Sequence, residues 1–250
     1  MSDHILVTGG TGVIGSEIVR RLLADGYCVA YTSRTPGPHD AFDDLGARYE
    51  DGSLLGIDCD LTVEGGLLRL LSRCRGLTSL AGIVHAARSL DSLAVLPDGT
   101  SSSEHMLDEY YVDVVVPYRL SVELARYRNF KHVVLIGSIY GAHPFNPRLY
   151  RNDAARAPIQ YSLAKAALLQ LQRELAIRLA PNGVRVNTVS YGGVVGRVDE
   201  SFAEAYAREC AGPGMLRPRQ VAGPVSYLLS EDAGGITGVN LRQDNGYGLW

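Results

Sequence analysis

Tyr161 and Lys165 stand four residues apart in Tyr161-Ser162-Leu163-Ala164-Lys165, and Ser138 lies upstream in Ile136-Gly137-Ser138-Ile139-Tyr140-Gly141. On a helix, that spacing puts the phenol and the ammonium on one face. An ammonium beside a phenol favours the phenolate that a general base near neutral pH requires. A serine at a strand end could hold a substrate oxygen by a hydrogen bond, so the trio could pass a proton to or from that oxygen. The chain has 14 tyrosines, so the Tyr-x-x-x-Lys spacing carries weight only through its company.

That company begins at the front of the chain, in Thr8-Gly9-Gly10-Thr11-Gly12-Val13-Ile14-Gly15. Gly9 and Gly12 would let the chain turn and bring backbone close to a pyrophosphate, and Gly15 would let helix pack on strand. The N–H groups and dipole of a helix that begins here would face the phosphates, with Thr11, Val13 and Ile14 beside them. Such a run also occurs merely as packing, and its place directly after a strand argues for the dinucleotide. At the end of the second strand, Tyr31-Thr32-Ser33-Arg34-Thr35 has no acid to accept from a ribose 2′-hydroxyl. Arg34 could clamp a 2′-phosphate with Ser33 or Thr35 adding hydroxyls, which favours NADP(H) over NAD(H); an arginine on a solvated loop is the plain alternative. Asp60, beside Leu61, could accept from the adenine amino group or cap a helix. Ala86-Ala87 would let a cofactor ribose lie against backbone.

Elements must position these residues. Short apolar runs alternate with stretches of helical period, which predicts an α/β fold: a doubly wound parallel sheet of about seven strands in a Rossmann arrangement. The strands are placed at 5–8, 27–33, 54–58, 80–85, 132–137, 184–190 and 239–242. A helix is expected over 161–179, where Leu168, Leu171, Leu175 and Leu179 recur and Pro181-Asn182-Gly183 stops it. Residues 1–250 form one expected domain, with turn-rich connections at 35–44 and at 142–160, the second a substrate-side loop.

Bulk properties narrow the function. A net charge of −3 supplies no basic field for nucleic acid or anionic lipid. The four cysteines, Cys28, Cys59, Cys74 and Cys210, have no C-x-x-C pairing or metal-ligand spacing, so they read as reduced core residues and no metal is expected. The amino end lacks the pattern of a signal peptide, and no apolar run reaches membrane length; a soluble, cytoplasmic protein is expected.

Along essentially its whole length the chain resembles the short-chain dehydrogenase/reductase family, on Thr8 to Gly15, the trio Ser138, Tyr161 and Lys165, Asn187 with Tyr191-Gly192, and the ending Ile236-Thr237-Gly238 through Asp244-Asn245-Gly246. The resemblance implies a nicotinamide-dependent oxidoreductase of alcohols and ketones. Tyr161 would pass the proton and Lys165 would also hydrogen-bond the nicotinamide ribose, while Tyr191, Gly192 and Val194 would lie beside the nicotinamide. It further implies a homo-tetramer, or a homo-dimer. Three departures stand out. The glycine spacing and His85-Ala86-Ala87 are similar to the family's extended branch, whereas length and ending resemble its single-domain branch. Asp113 stands where a fourth catalytic residue, an asparagine, is usual; its carboxylate could hold a water but would work against a phenolate. Tyr191 replaces a proline.

A narrower resemblance, to oxidoreductases of bacterial surface-sugar and flagellin-glycan pathways, rests on Ser138 to Gly141, on Tyr191-Gly192-Gly193-Val194 and on the ending through Trp250. It implies a polar, sugar-like or phosphorylated carbonyl substrate near Ser138, Ile139, Tyr140, His143, Arg148 and Gly193. Arg148, Arg151 and Arg156 could meet a phosphate or simply line a solvated loop. A nucleotide-sugar epimerase or dehydratase retaining NAD(P), or an NADP-binding sensor without turnover, remain alternatives.

Overall fold

The computed structural model describes residues 3–34, 40–77, 79–150, 157–196 and 198–249. Thr35, Arg151, Arg156 and Trp250 lie outside the described residues. Seven strands, β1 (His4–Thr8), β2 (Cys28–Ser33), β3 (Leu54–Asp58), β4 (Leu80–His85), β5 (His132–Ser138), β6 (Arg185–Tyr191) and β7 (Asn240–Gln243), form one sheet in the order β3-β2-β1-β4-β5-β6-β7. Every pairing is parallel. The strand limits agree with the sequence expectation to within one or two residues.

Parallel strands need helical crossovers, and these cover both faces. On one face, α3 (Glu64–Cys74), α5 (Val116–Leu124) and α6 (Ile159–Leu179) bury Leu67, Leu70, Leu120, Leu124, Leu168 and Leu175 against Leu6, Ile83 and Leu135. On the other, α1 (Val13–Ala24) and α8 (Ala222–Leu229) bury Ile18, Leu22, Val225 and Leu228 against Ile5, Val7 and Val84. The helix predicted from Tyr161 begins two residues earlier, at Ile159. Cys59, Cys74 and Cys210 are buried, and all four cysteines are free thiols.

After β3 at one edge the chain crosses to β4 on the far side of β1, so the winding reverses between β1 and β4. Thr8 closes this switch point: its Oγ1 accepts from the backbone N–H groups of Ala86 and Ala87, each at 3.1 Å. Helix α4 (Ser103–Tyr110) runs into α5 through a π-helical turn at Tyr111–Val115, which carries Asp113. The connection at 35–44 gains a short 3-10 helix from Asp40, whose Phe42 packs edge-on against Tyr31, and it leads into the single-turn helix α2 (Gly46–Glu50). No helix among the described residues is long and apolar enough to cross a membrane.

Candidate active site

A cleft of about 580 Å³ opens along the carboxyl ends of the strands, within the range of small-molecule sites. Gly9, Thr11, Gly12, Val13, Ile14 and Gly15 line one end together with Ser33, Arg34, Asp60, Leu61, Ala86 and Ala87. Ser138, Ile139, Tyr140, Tyr161 and Lys165 line the other, with Tyr191, Gly192, Gly193 and Val194.

At the first end Gly9 has φ +66°, and a Cβ there would lie 2.6 Å from Ala87 Cα. A Cβ on Gly15 would stand 2.2 Å from the Gly9 carbonyl oxygen, so this glycine packs helix against the glycine loop itself rather than against the strand. Gly12 caps α1 and leaves the first N–H groups of that helix without a capping side chain. A tight cradle of bare backbone with a helix dipole behind it fits a pyrophosphate. Arg34 faces this end, where its guanidinium lies 3.4 Å from Asp91 with both side chains largely in solvent. Thr11 Oγ1 lies 3.5 Å from Ser33 Oγ. Asp60 Oδ1 accepts from the N–H and hydroxyl of Thr62 at 2.9 and 2.7 Å, which makes it a turn-former ahead of α3.

At the other end α6 carries Tyr161 at the cleft wall and Lys165 on its sheet-facing stripe, only 5% exposed. Lys165 Nζ donates to Asp113 Oδ1 and to the Ile136 carbonyl, both at 3.0 Å, and stands 5.6 Å from the Tyr161 ring centroid. Burial opposes its ammonium, but the charges of Asp113, Tyr161 and Glu109 outweigh that and hold Lys165 above its usual value. Asp113 is therefore the partner of the buried lysine, a role that its sequence position did not indicate. Ser138 Oγ accepts from the Tyr140 N–H at 3.2 Å. Tyr140 packs edge-on to Tyr161, 6.3 Å between centroids, and its hydroxyl meets that of Tyr150 at 2.9 Å.

Two proposed substrate contacts fall elsewhere. His143 lies outside the cleft lining, its ring 6.1 Å from that of Tyr247, because the chain after Gly141 turns toward the carboxyl end of the protein. Arg148 is 81% exposed and its guanidinium is 3.5 Å from Glu209. Tyr191 is buried and its hydroxyl donates to the Val221 carbonyl, while Gly192, Gly193 and Val194 follow it along the cleft lining. Asn187 binds backbone at Ile236 and Val239.

Sequence reasoning missed Arg88, whose guanidinium carbon lies 4.8 Å from the Tyr161 ring centroid. It also missed Tyr150, Phe202, Tyr206 and Met215, which line the same end of the cleft. The residues after Tyr191 form α7 (Glu200–Arg208), α8 and β7, and β7 completes the sheet instead of founding a second sugar-binding unit. Among the described residues no group of His, Cys, Asp or Glu could hold a metal ion.

A family model described as enoyl-(acyl carrier protein) reductase matches residues 10–248. The chain belongs to the short-chain dehydrogenase/reductase family. It is 27% identical over 255 residues to 3-oxoacyl-(acyl-carrier-protein) reductase MabA of Mycobacterium tuberculosis, covering 100% of this chain and 94% of that protein. It is 32% identical over 130 residues to post-translational flagellin modification protein A of Campylobacter coli, a match spanning 51% of this chain and half (50%) of that relative. The fold matches a short-chain dehydrogenase from Leptospira borgpetersenii with bound NAD+, at TM-score 0.85 and 24% identity, covering 99% of this chain and 93% of that one. The protein is thus an NAD(P)-dependent oxidoreductase of this family.

Proposed function

We propose that the protein interconverts a ketone and a secondary alcohol: ketone, NAD(P)H and a proton on one side, alcohol and NAD(P)+ on the other. Tyr161 moves the proton at the substrate oxygen, Ser138 donates a hydrogen bond to that oxygen, and Lys165 holds a positive charge beside the phenol. The nicotinamide ring, when bound, supplies or takes up the hydride. The observation that carries this reading is the meeting of Ser138, Tyr161 and Lys165 at one end of a cleft whose other end is the Gly9–Gly15 cradle.

Tyr161→Phe should abolish turnover and leave cofactor affinity nearly unchanged; near-normal activity in that variant would refute the assignment. Arg34 at the ribose end, with no acid closing β2, favours NADP(H). Titration of the nicotinamide fluorescence should give tighter binding of NADPH than of NADH, and Arg34→Ala should erase the difference. Equal affinities in the native protein would leave Arg34 a solvated residue paired with Asp91.

A further inference from the structure

Arg88 follows directly on the Ala87 backbone that is pinned to Thr8, so its side chain leaves the sheet at the switch point and crosses toward α6. Its guanidinium carbon lies 4.8 Å from the Tyr161 ring centroid, in the cleft that also holds Ser138. A guanidinium carries five N–H donors and no acceptor. Among the described residues Arg88 makes no hydrogen bond and no ion pair with a carboxylate; Glu109, which feels its charge, accepts instead from the Ser92 hydroxyl. The far wall of this end is of the opposite character: Tyr150, Phe202, Tyr206 and Met215. A cation with free donors on one side and aromatic rings on the other, with the proton-handling phenol between, suits a compact amphipathic anion. Its carbonyl must lie within a few bonds of the charge.

We infer that Arg88 is the anchor for an acidic group of the substrate, a carboxylate or phosphate bound through paired N–H donors while the apolar body faces Tyr150 and Phe202. The inference rests on the oxidoreductase reading above and narrows its substrate to an anionic ketone or hydroxy compound. This cation, not Arg148, then selects charge.

The test uses the complex with NADPH, native and as Arg88→Ala and Arg88→Lys, titrated with matched pairs: acetoacetate and its methyl ester, levulinate and its methyl ester, dihydroxyacetone phosphate and dihydroxyacetone. Nicotinamide fluorescence reads binding and absorbance at 340 nm reads turnover. In the native protein the anionic member of at least one pair should bind about ten- to a hundredfold more tightly than its neutral partner, as expected for a charge-assisted contact. Whether the carboxylate or the phosphate pair shows it identifies the group. Arg88→Ala should erase that preference, Arg88→Lys should keep part of it, and NADPH affinity should be equal in all three. Equal binding within every pair overturns the anchor, as does a preference that survives Arg88→Ala. Weaker NADPH binding in Arg88→Ala also overturns it, since Arg88 would then hold cofactor. A kcat and pH profile altered equally for both members of a pair would mean that Arg88 acts only on the phenol, again against the anchor. Turnover of neutral members alone removes the anion and leaves the oxidoreductase reading intact, whereas absence of NADPH and NADH binding removes that reading itself.

Discussion

Lys165 is a cation at 5% exposure, and its charge survives there because Asp113, itself 4% exposed, lies 3.0 Å from it. Glu109 stands one helical turn before Asp113, buried, with its carboxyl raised above the usual range by burial and then by the charge of Asp113. Three ionisable groups thus share one dry wall behind Tyr161, and removing one partner of such a set exposes the rest to the full cost of burial. Asp113→Asn keeps the shape and removes the first of the charges that support the ammonium. Lys165 should then lose its proton at lower pH, and the alkaline limb of the kcat/KM profile should move to lower pH. An unmoved limb would show that Asp113 does not govern the charge of Lys165. The sequence placed Asp113 near the site but read its carboxylate as an obstacle to the phenolate. Its pairing with Lys165 depends on the π-helical turn at Tyr111–Val115, which no residue periodicity announces.

At the scale of elements, α3 is positioned by one glycine and not by its neighbour. A Cβ on the buried Gly66 would sit 1.6 Å from the Asp60 carbonyl oxygen, while one on exposed Gly65 would meet nothing within 4 Å. Gly66 therefore fixes how closely α3 approaches the turn between Asp60 and Thr62, at the rim of the cleft. Urea denaturation should show Gly66→Ala destabilised by about 1–3 kcal/mol or more. Gly65→Ala should be neutral or gain up to about 0.5 kcal/mol through the unfolded chain. Equal effects would mean that the close approach does not constrain the helix. The strands and α6 were legible in the sequence because their signals are local: β-branched runs for the one, leucines at spacings of three and four for the other. Close approaches such as Gly66 on Asp60 join segments that sequence proximity alone does not relate, and 3-10 turns such as that at Asp40 are too short to show a period.

For the molecule as a whole, the glycine cradle was legible because it is one contiguous stretch, Thr8 to Gly15, whereas the wall around Tyr161 is assembled from four distant parts. Arg88 comes after β4, Tyr150 from the loop before α6, Phe202 and Tyr206 from α7, and Met215 from beyond it; only the closed sheet brings them together. The same closure makes the stability of the protein pH-dependent through His85 at the end of β4. His85 is 6% exposed, its Nε2 lies 3.2 Å from Ser121 Oγ, and burial pushes its pKa down from 6.5 to about 3. Below about 6.5 the unfolded chain takes up a proton there that the folded protein refuses until about pH 3. The stability associated with neutral His85 is therefore fully present above that upper value and is lost as pH falls through the interval, at up to about 1.4 kcal/mol per pH unit. His85→Asn keeps a polar group for Ser121 and removes the titration. Measured by urea unfolding, the native protein should lose about 1.5 kcal/mol relative to this variant between pH 6.5 and 5.0, with no further divergence between pH 7.5 and 8.5. If the two stability curves run parallel through the acid range, His85 is not held neutral by the fold, and the acid sensitivity must come from other groups, with the half-buried His132, pushed down to about 4, the next to replace.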